Sequence, residues 1–114
     1  MVPSAVGAIV LIAFPFSDLS RAKRRPAVVL GNSGRGDWVL CAVTSQEFGD
    51  ADAVSLTQSD FNTGSLAKAS FARPGRLFTA HQSLILDEVA VLTHGAHARL
   101  VYATTRLLHT DLSR

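Results

Sequence analysis

Four basic residues lie within five positions near the start of the chain, immediately before a proline and an apolar run. They are Arg21, Lys23, Arg24 and Arg25, four of the eleven lysines and arginines in the sequence. Like charges at this density repel one another and usually stay in solvent. Strand-like segments on both sides would hold them in position, so that a polyanion could bind. The pattern predicts a site for a phosphate-rich ligand.

Two hydroxyl residues, Thr44 and Ser45, end the apolar segment WVLCAVTS. A threonine hydroxyl can donate a hydrogen bond to a phosphate oxygen, and the guanidinium of Arg25 offers a planar fork of donors that matches phosphate geometry. Together, two such groups could stabilise the charge that develops on a phosphate during cleavage. The alternative interpretation is that Thr44 and Ser45 only end a strand.

Length and composition predict one domain that spans residues 1–114. Because 47% of the residues are apolar, the chain can bury a core without a metal ion or a disulfide. The net charge of +2 argues against a protein that coats duplex DNA through its overall field, so nucleic-acid binding would depend on the local basic cluster. Cys41, the only cysteine, cannot form an intramolecular disulfide, which favours a cytoplasmic location.

Short apolar segments separated by turn residues predict a mainly β (α+β) protein. The apolar run that ends at Phe14 is far shorter than the roughly 20 residues of a membrane helix. It therefore predicts a strand, and no interaction with a membrane is expected. The expected strands are Ala8–Phe14, Pro26–Leu30, Trp38–Ser45, Val54–Leu56, Ser70–Arg73, Arg76–His81 and Val89–Leu92. Gly31–Asp37 is expected to form a hairpin, Pro74 and Gly75 a turn, and Gln58–Phe61 a turn of helix.

A C-terminal amphipathic helix is predicted after Thr93, which is a plausible N-cap, and it should end near His109. The apolar stripe consists of Ala96, Leu100, Ala103 and Leu107, widened by Val101, Thr104 and Leu108. Such a stripe usually packs against a sheet. His94 and His97 also fall on this helix, but they lack a third ligand, so no metal site is predicted.

Three segments together resemble the PemK/MazF-like toxins of type II toxin–antitoxin systems. They are VGAIVLIAFPFSDLS, KRRPAVVL and VLCAVTS, and the later segment GSLAKASFARPGRLFTAHQSLI is similar to the second half of the family. The likeness spans nearly the whole chain. It implies a small SH3-like β-barrel with a C-terminal amphipathic helix, a homodimer, and an enzyme that needs no metal or other cofactor.

The resemblance also implies an activity. Members of this family are toxins that cleave single-stranded RNA at short sequences, leave 2′,3′-cyclic phosphate and 5′-hydroxyl ends, and inhibit translation until a cognate antitoxin binds them. By motif match, Arg25 and Thr44 would be the catalytic residues. Arg73 matches an arginine that contributes to the site in some members.

The residues expected to contact RNA surround these positions. They are Phe16, Arg21, Lys23, Arg24, Ser45, Arg73 and Arg76. Phe16 would stack on a base, as aromatic side chains do in single-stranded RNA recognition. Two positions depart from the family pattern: Ala8 replaces an aspartate, and Gly75 stands where some relatives place a catalytic aspartate. The second departure undermines any mechanism that needs a carboxylate beside Arg73.

The general base is left open by the sequence. An arginine with a pKa above ~12 hardly ever gives up its proton. The candidates are a strongly perturbed Arg25, His81 brought in by folding, or no strong base at all, with the rate supplied by phosphate stabilisation and alignment. Cys41 lies in an apolar strand and is expected to be a core residue, not a nucleophile.

Two other functions compete with the nuclease. One is a non-catalytic toxin on the same barrel that binds a protein such as gyrase, and the other is an inactive RNA-binding or regulatory module. The C-terminal segment LLHTDLSR lacks the tryptophan-rich apolar tip expected of a gyrase-binding helix. The basic cluster favours the nuclease.

Overall fold

The computed structural model of the protein describes residues 1–14, 23–46 and 50–109, with the side chains of Phe14 and Lys23 outside that description. Within these ranges lie seven strands and one α-helix. The strands are β1 (Ala8–Phe14), β2 (Lys23–Gly34), β3 (Asp37–Thr44), β4 (Val54–Leu56), β5 (Phe61–Gly64), β6 (Ser70–His81) and β7 (Ile85–Leu92), and the helix is α1 (His94–Leu108). Short 3₁₀ turns at Gln58–Asp60 and Gln82–Leu84 precede β5 and β7.

The seven strands form one sheet in the order β4-β6-β3-β2-β1-β7-β5. Every neighbouring pair is antiparallel. The sheet curls into a half-barrel, and α1 packs on β6 with further contacts to β4 and β7. The fold class expected from the sequence, mainly β with a C-terminal helix, is confirmed.

The central hairpin joins β2 to β3 and is tighter than the sequence predicts. Asn32–Gly34 continue β2, and the turn is confined to Arg35 and Gly36. Gly34 and Gly36 adopt φ values of +95° and +80°, in the left-handed region that glycine occupies without a steric penalty. Gly34 and Gly36 therefore allow the tight turn, while Gly31 is an ordinary residue of the extended β2.

The largest correction to the expected strands lies in β6. Pro74 and Gly75 do not form a turn between two strands, because β6 runs without a break from Ser70 to His81. Cys41 of β3 pairs with Leu77 and Val43 pairs with Ala72, so four residues of β6 lie opposite the single residue between them. Such a bulge bends a strand and changes the direction of its side chains, and bulges are common next to active sites.

Two further differences concern β5 and β7. The strand Phe61–Gly64 was not expected, because its sequence FNTG carries turn-forming residues and little apolar pattern. Strand β7 begins at Ile85, four residues earlier than the sequence predicts. Both segments become strands because they pair with residues distant in the sequence, and local pattern does not reveal such pairing.

Apolar side chains bury both faces of the sheet. One face, here named the helix-side face, packs beneath α1, and the other is named the opposite face. The buried residues of the helix-side face are Ile9, Val28, Cys41, Val43, Val54, Leu56, Ala72, Ala90, Leu92, Ala96 and Leu100. Those of the opposite face are Ala8, Val10, Ile12, Ala27, Val29, Leu40, Ala80 and Ile85. Because successive residues of a strand alternate between faces, these two sets show which face each neighbouring residue occupies.

Helix α1 begins at the expected N-cap, since the Thr93 hydroxyl oxygen accepts a hydrogen bond from the Ala96 N–H at 3.1 Å. Ala96, Leu100 and Thr104 form its buried stripe. Val101 and Leu108 are exposed, so the wider stripe expected from the sequence is wrong for these two residues. No helix in the described part of the chain is both long enough and apolar enough to cross a membrane.

Asp60 ties the turn before β5 to the start of the helix. Its carboxylate accepts hydrogen bonds from the Thr57 N–H at 2.7 Å and the Thr57 hydroxyl at 3.1 Å, and pairs with Arg99 at 3.2 Å. Its backbone carbonyl accepts a hydrogen bond from the Thr93 N–H at 2.8 Å. Burial, the largest influence, raises the pKa of Asp60, but these hydrogen bonds and the charge of Arg99 together lower it below 3.8.

We expect Asp60→Asn to lower the free energy of unfolding at pH 7 by about 1–3 kcal/mol, because hydrogen bonds to a charged group are lost. The folded-state pKa lies below the unfolded one, so the stabilisation is present above the unfolded value and fades as pH falls through the folded pKa. Denaturation should therefore show a smaller difference in the free energy of unfolding between the wild type and Asp60→Asn at pH 3 than at pH 7. Asp87→Asn, at an exposed carboxylate, is the control, and equal losses in both variants would contradict this account.

Candidate active site

Strand β2 places its two neighbouring arginines on different faces of the sheet. Arg25 pairs with Ile12 of β1 and alternates with Ala27, which puts it on the opposite face. Arg24 is one residue earlier and therefore lies on the helix-side face. Both side chains are exposed. Within the described ranges, no residue forms a hydrogen bond or ion pair with Arg25, so its guanidinium is available to a ligand.

Thr44 ends β3 on the same face and at the same end of the sheet as Arg25. The strands β2 and β3 are paired as far as Ala27 and Ala42, and Arg25 and Thr44 each lie two residues beyond that pair. The Thr44 hydroxyl oxygen accepts a hydrogen bond from the Gln46 N–H at 3.1 Å. Because a hydroxyl can accept and donate at once, its proton stays available to a ligand.

Two residues of β6 lie at this end of the sheet. Phe71 lies directly across from Thr44, and Arg73 follows two residues later at the start of the bulge. Ala72, between them, is buried on the helix-side face. Phe71 is half-buried and shares the face of Thr44, whereas the half-buried Arg73 begins the bulge, where the alternation of faces is interrupted. The structure thus gathers Arg25, Thr44, Phe71 and Arg73 from three strands, and sequence reasoning had missed Phe71.

A carboxylate lies beside Arg73, contrary to expectation. The Arg73 Nε–H donates a hydrogen bond to Asp50 Oδ2 at 3.0 Å, and both side chains are at most a quarter exposed. This hydrogen bond, followed by one from the Asp52 N–H, lowers the pKa of Asp50. Asp50 therefore carries a negative charge at neutral pH. The departure at Gly75 therefore does not leave Arg73 without a carboxylate, because Asp50 supplies one.

Cys41 supports the bulge from inside the core. Its side chain is fully buried, and its S–H donates to the Arg73 carbonyl oxygen at 3.1 Å. Burial is the main influence that raises the pKa of Cys41 to about 12, so the thiol stays protonated at neutral pH. Cys41 is confirmed as a core residue.

His81 lies at the other end of β6. It pairs with Asp37, whereas Phe71 pairs with Thr44, and these two β3 residues are roughly 23 Å apart at ~3.3 Å per strand residue. The His81 Nδ1 interacts with the Ser83 hydroxyl at 2.9 Å and accepts from the Ser83 N–H at 3.1 Å. Within this chain, folding does not bring His81 to Arg25, which argues against this one of the three candidates for the general base.

The other residues expected to contact RNA do not all lie at the same place in the structure. Ser45 is exposed just beyond Thr44, and Arg76 is exposed at the far end of the bulge, where its charge also acts on Asp50. Arg24 lies on the helix-side face. Phe16, Arg21 and the side chain of Lys23 lie outside the described residues. Their contacts with RNA stay predictions.

The histidines of α1 form no recognisable site. His94 and His109 are exposed. His97 packs near Gly7, and its Nε2 is buried without a hydrogen-bond partner in the described structure. In the same ranges, no three histidine, cysteine, aspartate or glutamate side chains cluster in a way that could hold a metal ion.

Comparison with known proteins gives structural likeness without sequence likeness. The sequence matches no protein-family model and no curated protein. The structure is similar to the MazE–MazF complex from Deinococcus radiodurans, with a TM-score of 0.74, 23% identity, and 97% of this chain and 100% of that chain covered. It is also similar to a mycobacterial endoribonuclease in complex with its cognate antitoxin, with a TM-score of 0.70, 14% identity, and 92% of this chain and 94% of that chain covered.

A third similar structure is the Mycobacterium tuberculosis toxin MazF-mt6, with a TM-score of 0.70, 15% identity, and 91% of this chain and 98% of that chain covered. All three likenesses extend over nearly the full length of both chains. The architecture is a curled half-barrel with a C-terminal helix, which matches these structures. More specifically, it is the MazF/PemK-like toxin fold, which the sequence resemblance predicts and the structure confirms.

Proposed function

We propose that the protein is the toxin of a type II toxin–antitoxin system and that it acts as a metal-independent, sequence-specific endoribonuclease on single-stranded RNA. The observation that carries this proposal is the grouping of Arg25 and Thr44 at one end of the opposite face, with Arg73 at the same end of the sheet. Guanidinium and hydroxyl donors in such a group suit a phosphodiester. The likeness to MazF structures supports the same activity.

The reaction that fits these groups is transfer of the phosphodiester to the neighbouring 2′-hydroxyl. The 2′-oxygen attacks phosphorus in line, the bond to the 5′-oxygen breaks, and the products carry a 2′,3′-cyclic phosphate and a 5′-hydroxyl. Negative charge builds up on the non-bridging oxygens during this step. Arg25 would bind those oxygens through its guanidinium, and Thr44 would donate its hydroxyl proton as a hydrogen bond.

Proton transfer would depend little on a strong base. Asp50 is the carboxylate that the described residues place at this site, but its lowered pKa makes it a weak proton acceptor at neutral pH. The 2′-hydroxyl proton would leave to water, and the 5′-oxygen would take a proton from water. Alignment of the attacking oxygen and stabilisation of charge would supply the rate.

The expected partners follow from the same surface. A cognate antitoxin with acidic or apolar residues would complement the basic end of the sheet, and the likeness to MazE–MazF complexes supports such a partner. We assign the activity to a single toxin domain of residues 1–114 that forms a homodimer and works in the cytoplasm. Sedimentation of the purified protein would test the dimer.

RNA cleavage in the presence of excess chelator tests the proposed function. The purified protein should cut a long single-stranded RNA at a recurring short sequence and leave 5′-hydroxyl and 2′,3′-cyclic phosphate ends. Mapping the ends by primer extension and by kinase labelling would show both features. Intact RNA, or cleavage that requires added magnesium, would refute the nuclease and favour a non-catalytic toxin or an RNA-binding module.

A further inference from the structure

We propose that Asp50 is a positioning residue for RNA cleavage: it holds the Arg73 guanidinium by its Nε–H and leaves the Nη1 and Nη2 edge free for the substrate phosphate. This inference rests on the proposed function. The contact that carries it is the 3.0 Å hydrogen bond from Arg73 Nε to Asp50 Oδ2. Neither the two positions that depart from the family pattern nor any local sequence pattern points to Asp50.

The geometry of the pair limits how Arg73 can bind an anion. A guanidinium has five N–H donors, one on Nε and four on the terminal nitrogens. Asp50 occupies the Nε donor, and no other described residue bonds to the Arg73 side chain. Two parallel N–H donors on the terminal edge therefore remain for bidentate contact with phosphate oxygens.

Arg73 is held both at its backbone and at the Nε–H of its side chain. Its carbonyl oxygen accepts the Cys41 S–H at 3.1 Å, which ties the start of the bulge to the core. Asp50 then holds the far end at Nε. A donor fixed in this way needs little reorganisation when charge develops on the phosphate, which is the condition for strong electrostatic stabilisation.

Asp50 is itself held by its own turn. Its Oδ1 accepts a hydrogen bond from the Asp52 N–H at 3.0 Å, and its carbonyl oxygen accepts one from the Ala53 N–H at 3.1 Å. One carboxylate oxygen thus faces the turn and the other faces Arg73. The hydrogen bonds that fix the carboxylate also lower its pKa, so the pair stays charged at neutral pH.

A purely structural role for the pair predicts a different result. Ion pairs that remain partly open to solvent contribute little to stability. Removal of Asp50 should therefore leave the fold intact, with a change in the unfolding midpoint below about 5 °C. A loss of cleavage without a loss of fold would then report on the position of Arg73.

The test is a double-mutant cycle on single-turnover RNA cleavage. We expect Asp50→Ala to lower the rate by about 10-fold to 100-fold in the wild-type background, the size of effect seen when a supporting residue is removed. In an Arg73→Ala background, the same change should cost less than about 3-fold, because Asp50 acts through Arg73. Asp52→Asn, at an exposed carboxylate of the same turn, is the matched control and should leave the rate unchanged.

Each other result overturns the inference. Equal losses from Asp50→Ala in both backgrounds would show that Asp50 acts independently of Arg73, as a general base would. Wild-type cleavage by Asp50→Ala would show that the ion pair has no role in the reaction, while the proposed function would stand. If the wild-type protein itself does not cut RNA, the proposed function fails and the positioning role fails with it.

Discussion

Arg25→Ala is expected to lower the rate of RNA cleavage by about 10²–10³-fold, the loss typical when a preorganised donor is removed from a developing negative charge. The guanidinium is exposed, lies on the opposite face beside the end of β3, and has no partner among the described residues. No described residue therefore competes with the phosphate for its hydrogen-bond donors. Single-turnover cleavage of a short RNA that contains the mapped sequence would measure the effect.

The chain supplies a matched control for this experiment in Arg24. Arg24→Ala removes the same charge from the adjacent, equally exposed position, but on the helix-side face. We expect a modest, salt-dependent fall in RNA binding and little change in the rate at saturating protein. Equal losses from the two variants would show that only the net charge of the strand matters, and would contradict a specific role for Arg25.

Thr44→Val is expected to give the second largest loss, about 10²-fold in the same assay, because it removes the hydroxyl donor and keeps the branched shape of the side chain. Thr44→Ser, which keeps the hydroxyl, should retain most of the activity. The comparison separates hydrogen bonding from packing. It depends on the Thr44 hydroxyl proton being free, as its acceptance of the Gln46 N–H implies.

Ser45→Ala is the control for Thr44. Ser45 carries the neighbouring hydroxyl but is exposed beyond the end of β3, so its loss should have a smaller effect on the rate. Near wild-type cleavage by Thr44→Val would show that the hydroxyl is dispensable. A loss in Thr44→Ser as large as that in Thr44→Val would point to packing of the methyl group instead.

The elements predicted most accurately from the sequence are those with local signals. Strand β1 has the bounds expected from its apolar run, and α1 begins after Thr93 and ends at Leu108, next to the expected His109. Helical spacing and an N-cap are encoded within a few neighbouring residues. The position of Thr44 at the end of a strand was predictable for the same reason.

The features that escaped prediction depend on distant contacts. Pro74 and Gly75 have the composition of a turn, but β3 pairs with Ala72 before them and with Leu77 after them, which holds them inside a continuous strand. Asp50 lies 23 residues before Arg73 in a polar segment with no periodic pattern, so only the folded chain reveals the pair. Two of the five residues of the candidate site, Phe71 and Asp50, thus come from long-range geometry.

A crystal structure with bound RNA tests the central claim most directly. The ligand would be a short single-stranded RNA with the mapped sequence and a 2′-deoxy substitution at the attacking position, which prevents cleavage. We expect a phosphate within hydrogen-bonding distance of both the Arg25 guanidinium and the Thr44 hydroxyl, at about 2.7–3.1 Å. A phosphate bound on the helix-side face at Arg24, or one that contacts neither Arg25 nor Thr44, would contradict the account.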